Sequence, residues 1–107
     1  MPNGKITNRK FSDYHISELK KNKKEAEKYL KIALEEYFSD GNKEAFYQAL
    51  QDIVTANVGM TELARKTSLN RQNLYKIFSG KGNPGLETIE NILSSVGFTM
   101  TIKRLAH

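Results

Sequence analysis

The chain has 107 residues, enough for a single domain with one core, and no cysteine, which excludes disulfide bonds and thiol chemistry. Its 17 Lys and Arg against 12 Asp and Glu give a net charge of +5, which suits a polyanionic partner. The chain shows neither an apolar run of membrane-spanning length nor an N-terminal secretion signal, so we expect a cytoplasmic protein without membrane contact.

The first half predicts a flexible arm followed by two amphipathic helices. Residues 1–14 mix Asn, Gly, Pro and Lys without periodicity, as a mobile basic arm does, and residues 16–20 are compatible with one helical turn. Apolar residues then recur at helical spacing: Ala26, Tyr29, Leu30, Ala33, Leu34, Tyr37 and Phe38. Residues 39–42 end this helix and cap a second one from Lys43 to about Val58, whose apolar stripe is Phe46, Ala49, Leu50, Ile53, Val54 and Val58.

The second half predicts three shorter helices and a strand. Thr61 is a suitable N-cap for the third helix, and Asn70 for the fourth, which ends at Phe78. A fifth helix begins at 83–85, is expected to face the core with Ile89, Ile92, Leu93 and Val96, and ends at Gly97. Residues 98–103 alternate apolar and polar side chains, as a strand does. The prediction is an all-α domain of five helices with a short C-terminal β-strand, spanning residues 15–107.

The third and fourth helices have the pattern of a helix-turn-helix at about residues 60–79. A small shared core is available from Leu63, Ala64, Leu69, Leu74 and Ile77. A generic helical hairpin is the competing interpretation. Ser68 stands where such turns often carry Gly in a left-handed conformation, and we expect a strain of about 1 kcal/mol there.

Polar side chains on the fourth helix are left free by that core and suit contacts to DNA. Arg, Gln and Asn can make bidentate contacts to base edges. The candidates for base reading are Arg71, Gln72, Asn73, Tyr75 and Lys76. The candidates for phosphate contact are Thr61, Ser68, Asn70, Ser79 and Lys81. Helix capping is the simpler role for Asn70, and a solvated loop lysine is the simpler interpretation of Lys81.

The predicted strand has no partner strand elsewhere in the sequence. A lone strand exposes unpaired backbone groups, so we expect it to pair with the same strand of a second copy in a homodimer. The residues of this dimer strand are Phe98, Met100 and Ile102. The alternatives are that it packs on its own domain or frays.

The charge is divided along the chain. Residues 1–24 carry seven basic and two acidic residues, residues 25–58 three and seven, and residues 59–107 seven and three. Two surfaces of opposite sign suggest two partners, although the acidic middle is equally consistent with a solvated helix face.

No motif for catalysis, a cofactor or a metal is present. His15 and His107 lie in predicted tails, and Gly80-Lys81-Gly82 follows a helix and so predicts a turn instead of a phosphate loop. We do not expect an enzyme.

The run from Ile16 to Lys103 resembles the probable addiction-module antidote proteins, which are HigA-like antitoxins of the XRE/Cro class. The motifs MTELAR, NRQNLYKIFS, GNPGLETI and SVGF carry the resemblance. Ser68 and Gly85 depart from it, where relatives often have Gly and a Ser or Thr cap.

The resemblance implies a five-helix, lambda-repressor-like domain that binds a double-stranded DNA operator and neutralises a RelE/ParE-type toxin. Such toxins are typically basic, so a toxin would meet the acidic residues Glu25, Glu27, Glu35, Glu36, Asp40 and Glu44. A stand-alone prophage-type repressor and a helical interaction module without DNA binding are the alternatives.

Overall fold

The computed structural model describes residues 15–106, and their secondary structure is helical. The helices are α1 (residues 15–21), α2 (Lys23–Asp40), α3 (Lys43–Asn57), α4 (Gly59–Thr67), α5 (Arg71–Phe78) and α6 (Leu86–Ser95). Within residues 15–106 there is no strand, and none of these helices has the length and apolar character that crossing a bilayer requires. The predicted arm, residues 1–14, and His107 lie outside the described residues.

The structure has a sixth helix, α1, where the sequence analysis allowed only one helical turn at residues 16–20. Residues 15–21 form a helix because Leu19 is buried in the core. Asn22 separates this helix from α2: its N–H donates to the Glu18 carbonyl over 2.9 Å, and its side-chain oxygen accepts from the N–H groups of Lys24 and Glu25. A single residue therefore ends one helix and caps the next.

The turn between α2 and α3 confirms the prediction that residues 39–42 end one helix and cap the next. Gly41 has a left-handed conformation with φ 77°, and its N–H donates to the Tyr37 carbonyl over 2.8 Å. The Asn42 side chain then accepts from the N–H of Ala45 over 3.2 Å and caps α3. The long helices α2 and α3 are thus joined by a two-residue turn.

One core joins the six helices, and α3 lies at its centre, in contact with α2, α4 and α5. The buried residues of α3 are Phe46, Tyr47, Ala49, Leu50, Ile53, Val54 and Ala56. Those of the other elements are Leu19, Ala26, Leu30, Ala33, Leu63, Leu74, Ile77, Phe78, Ile92, Leu93 and Val96. These positions confirm the predicted apolar stripes.

Phe38 is the exception, because it was predicted on the apolar face of α2 and is 77% exposed. Ala26 lies at the centre of the buried stripe. At 3.6 residues per turn, Phe38 lies about 120° around the helix from Ala26. Tyr37, one residue earlier, takes the inward position and packs against Phe46.

His15 belongs to the fold, whereas the sequence analysis places it in a tail. Its Nε2 lies 3.5 Å from Asp52 Oδ2, and its ring meets that of Tyr29 edge to face, with centroids 4.7 Å apart. The Tyr29 hydroxyl donates to Asp52 over 2.8 Å. Burial, followed by the hydrogen bond to this carboxylate, raises the pKa of Tyr29 above its ordinary value. This cluster links α1 to α2 and α3.

The junction of α3 and α4 corrects the predicted N-cap at Thr61. Gly59, with φ 81°, reverses the chain and already begins α4, so Thr61 lies inside the first turn. The N-cap position of α4 is occupied by Val58, the one residue between the two helices, so Thr61 cannot act as the cap. At the C-terminal end of α3, the Asn57 side chain donates a hydrogen bond to the Ile53 carbonyl over 2.8 Å.

The predicted strand at residues 98–103 is not formed in the single chain. Its first residues are tied to α6: the Phe98 N–H donates to the Leu93 carbonyl, and Glu90 accepts from the Thr99 hydroxyl over 3.0 Å and from the Met100 N–H over 3.3 Å. Residues 101–106 are exposed. A strand requires a neighbour for its backbone groups, and none lies beside this segment within residues 15–106.

The turn between α4 and α5 has the predicted left-handed residue. Ser68 has φ 60° and ψ 21°, and among the described residues it is the one non-glycine with positive φ. The Asn70 side chain accepts from the Asn73 N–H over 2.8 Å and caps α5, as predicted.

Replacing Ser68 with Gly should stabilise the fold by about 0.5–1 kcal/mol, because Gly adopts this conformation without Cβ strain. Urea unfolding followed by circular dichroism measures the change. Ser68→Ala is the matched control, since it removes the hydroxyl but keeps the Cβ atom and should bring no gain. A Gly variant no more stable than the Ala variant would contradict the strain argument.

Candidate nucleic-acid interface

Helices α4 and α5 form a unit of two short helices joined by residues 68–70. Leu63 of α4 and Leu74 of α5 are completely buried, and Ala64 and Leu69 pack beside them. Because these apolar residues fill the inner side of both helices, the polar residues of α5 are held on its outer side.

All five predicted base-reading residues are exposed on α5. Their neighbours Leu74, Ile77 and Phe78 are buried. At helical spacing, Gln72 and Lys76 occupy the middle of the outer face. The structure therefore places the predicted residues together on one surface: Arg71, Gln72, Asn73, Tyr75 and Lys76.

Arg71 and Tyr75 form a pair that the sequence analysis did not single out. The Arg71 guanidinium donates from Nη2 to the Tyr75 hydroxyl over 3.3 Å, and its carbon lies 5.9 Å from the centre of the ring. The two residues are four apart on a helix, so the spacing alone could have indicated the contact. Tyr75 thereby limits the positions that the Arg71 side chain adopts.

The segment after α5 folds back on the end of that helix. The N–H groups of Lys81 and Gly82 both donate to the Lys76 carbonyl, over 3.1 and 3.0 Å. A Cβ atom on Gly82 would lie 3.3 Å from the Ile77 backbone, which is a tight contact, so this close return favours glycine. Lys81 is exposed and lies on the same side as Lys76.

A shallow groove of about 410 Å³ lies between α5, this returning segment and the start of α6. Its lining residues are Leu69, Asn73, Lys76, Ile77, Lys81, Gly82, Asn83, Pro84 and Thr88. The polar ones are two lysines, two amides and a hydroxyl, with no carboxylate among them. Such a groove favours an anion.

The other predicted phosphate contacts are exposed but differ in the donors they offer. The Asn70 oxygen is used as the cap of α5, which leaves its amide group as a donor. The Ser79 hydroxyl already donates to the Lys76 carbonyl over 2.9 Å and must leave it to bind a phosphate. Thr61 lies in the first turn of α4, and Ser68 lies in the turn that joins α4 to α5. Within α4, the carboxylate of Glu62 is paired with Arg65, and this hydrogen bond lowers the pKa of Glu62.

The six acidic residues predicted to meet a toxin are not brought onto one face. Glu25 lines a groove against α1, and Glu27 forms an ion pair with Lys31 at 3.3 Å. Glu35, Glu36 and Asp40 lie together in the last turns of α2. Glu44 lies at the start of α3, where its side chain packs against Gly80.

The three residues of the predicted dimer strand differ in exposure. Phe98 packs against the core, whereas Met100 is 39% and Ile102 98% exposed. Among residues 15–106, no group of three His, Asp or Glu side chains is placed to hold a metal ion.

Residues 10–104 match a family model described as probable addiction module antidote protein. The chain belongs to this antidote family. Membership implies a role as the antitoxin of a toxin–antitoxin pair, and so a toxin partner of some kind; antidote proteins are generally regulators without enzyme activity. An uncharacterised protein of Haemophilus influenzae is a relative of this antidote protein: it is 29% identical over 79 residues, which cover 74% of the present chain and 80% of the relative. No solved structure matches significantly.

Proposed function

We propose that this antidote protein represses transcription by binding operator DNA through α5 and neutralises a RelE/ParE-type toxin by direct contact. Antidote membership supports the toxin partner. One observation carries the DNA-binding half: α5 exposes five side chains suited to base contacts beside a groove lined by two lysines and no carboxylate. The cytoplasm is the compartment in which both partners would be met.

The geometry of α4 and α5 suits a helix-turn-helix of the HigA-like XRE class. The major groove is about 12 Å wide and admits one α-helix. With α5 in that groove, Arg71, Gln72 and Asn73 at its N-terminal end would approach the base edges. The pairing of Arg71 with Tyr75 holds the guanidinium beside the helix, which reduces the entropy lost when it binds guanine.

Phosphate contacts would fix the position of α5 without reading sequence. Lys76 and Lys81 supply charge along the groove, and the free amide of Asn70 supplies a donor at the start of α5. Thr61, Ser68 and Ser79 would add hydroxyl donors around the same unit.

A homodimer would place two such units on one palindromic operator. The C-terminal segment suits this role, because Glu90 holds its first residues while the backbone beyond stays unpaired. Pairing residues 98–103 with the same residues of a second copy would satisfy those groups and cover Met100 and Ile102. Two recognition helices on one face of DNA lie about 34 Å apart.

The test of the proposed function is co-purification with the tagged product of the adjacent reading frame, followed by size determination. A stable complex with a small basic protein, and rescue of growth when both are co-expressed, is the expected result. A chain that binds its own upstream DNA but no neighbouring gene product would contradict the antitoxin role and favour a stand-alone repressor.

Replacing Arg71 with Ala should weaken operator binding by about 1–3 kcal/mol while affecting random DNA much less, because a bidentate contact to guanine is lost.

Replacing Lys81 with Ala should weaken binding to all sequences alike and reduce the slope of log K against log salt by about 1. Fluorescence anisotropy at several salt concentrations measures both.

Lys24→Ala, an exposed lysine on α2, is the control for charge alone. If Arg71→Ala weakened binding to operator and random DNA equally, Arg71 would be assigned to a phosphate contact and not to a base contact.

Replacing Ile102 with Asp should convert the dimer to monomer, because a charge would enter the proposed strand pair. Its side chain is 98% exposed in the single chain, so the fold itself should be unaffected. Sedimentation velocity reads the change. Leu86→Asp is the matched control, because it places the same charge at a 75% exposed position on α6, and it should leave the dimer intact. An Ile102→Asp chain that sediments like the wild type would rule out this pairing.

A further inference from the structure

The segment that follows α6 is held to that helix through the Glu90 carboxylate. One oxygen of Glu90 accepts from the Met100 N–H over 3.3 Å, and the other accepts from the Thr99 hydroxyl over 3.0 Å. Among residues 15–106, the backbone groups of Thr99, Thr101 and Lys103 have no hydrogen-bond partner. The backbone of this segment is therefore engaged at Met100 and unpaired at the residues on either side.

The bond from Met100 to Glu90 decides which edge of this segment is open to a neighbour. In a β-strand, the N–H and carbonyl groups of one residue point to one edge, and those of the next residue point to the other edge. When residues 98–103 are extended and keep this bond, the backbone groups of Met100 and Ile102 point towards α6. Those of residues 99, 101 and 103 then point to the opposite edge, here called the free edge.

The sequence along the free edge favours one register between two copies. Identical strands related by a two-fold axis run antiparallel, and the axis passes between one residue and its own copy. With the axis at Thr101, this residue exchanges backbone bonds with Thr101 of the second copy, and Thr99 does so with Lys103. The same register places Met100 opposite Ile102 of the second copy, and Ile102 opposite Met100. These side chains are 39% and 98% exposed in the single chain, and the register covers each with an apolar neighbour.

The neighbouring registers use the same edge less well. With the axis at Met100, Lys103 would have to pair with Gly97, whose N–H is already bonded within the end of α6. With the axis at Ile102, Met100 would lie opposite Arg104, and the apolar side chains of the two copies would make one pair instead of two. The register centred on Thr101 pairs all three free-edge residues and both apolar residues.

We propose that residues 98–103 of two copies pair antiparallel about a two-fold axis at Thr101, with Met100 of each copy against Ile102 of the other. Glu90 fixes this arrangement by occupying the opposite edge of the strand. This inference rests on the proposed function, because it assumes the homodimer, and it adds the edge, the register and the position of the axis.

The test is disulfide crosslinking, which is clean because the chain has no cysteine of its own. Thr101→Cys should become a covalent dimer on air oxidation, because facing residues of a hydrogen-bonded antiparallel pair have Cα atoms about 5.5 Å apart, within the range of a disulfide. Non-reducing gel electrophoresis measures the fraction of covalent dimer, and sedimentation velocity of the wild type and of each reduced variant measures the oligomeric state.

Met100→Cys and Ile102→Cys are the matched controls. Each should remain uncrosslinked by itself, because in this register the two copies of either residue are diagonal neighbours about 7–8 Å apart, too far for a disulfide. An equal mixture of the two variants should crosslink, because the residues face each other across the strands at about 4.5 Å.

Three results would overturn the proposal. Crosslinking of Met100→Cys or Ile102→Cys alone in preference to Thr101→Cys would show a different register. A wild-type dimer for which neither Thr101→Cys nor the mixture crosslinks would show that the copies meet elsewhere, while the homodimer itself would stand. A wild-type chain that sediments as a monomer would remove both the homodimer and this pairing.

Discussion

Leu50, Ile53 and Val54 of α3 are completely buried, and α2, α4 and α5 all pack around the helix that carries them. Burying these side chains supplies much of the free energy that orders the neighbouring helices. This burial also fixes the orientation of α4 and α5, because Leu63 and Leu74 can join the same core only if the polar sides of the two helices face outward. The exposed face of α5 is thus a consequence of how α3 is buried. The antidote family assignment implies a regulatory protein.

Two places in the structure have local preferences that oppose the fold. Ser68 adopts a left-handed conformation that glycine would adopt more readily, and it lies in the turn that sets α5 against α4. The last turns of α2 carry three carboxylates and an exposed Phe38, where cations and polar side chains would be more favourable. Proteins tolerate such conflicts mainly where a surface has another use.

The sequence was sufficient to predict those features that depend on periodicity and capping. The stripes of α2, α3 and α6, the caps at Asn42 and Asn70 and the left-handed Ser68 are all local consequences of residue type. It failed where tertiary contacts decide. Residues 15–21 are a helix because Leu19 reaches the core, and Gly59 merges two helices so closely that Thr61 cannot cap α4. The placement of Glu90 against Thr99 and Met100 likewise depends on how the chain leaves α6. The predicted strand needs a partner strand from a second molecule, and the structure of a single chain does not contain one.

We propose that this small domain uses two separate surfaces, the outer face of α5 for DNA and another surface for a toxin. Amide chemical shifts of the ¹⁵N-labelled protein, titrated separately with its upstream DNA and with the adjacent gene product, test this most directly. DNA should shift the signals of residues 70–83, and the gene product should shift the signals of a different set of residues. Perturbation of the same residues by both ligands, or an unperturbed α5 in the presence of DNA, would contradict it.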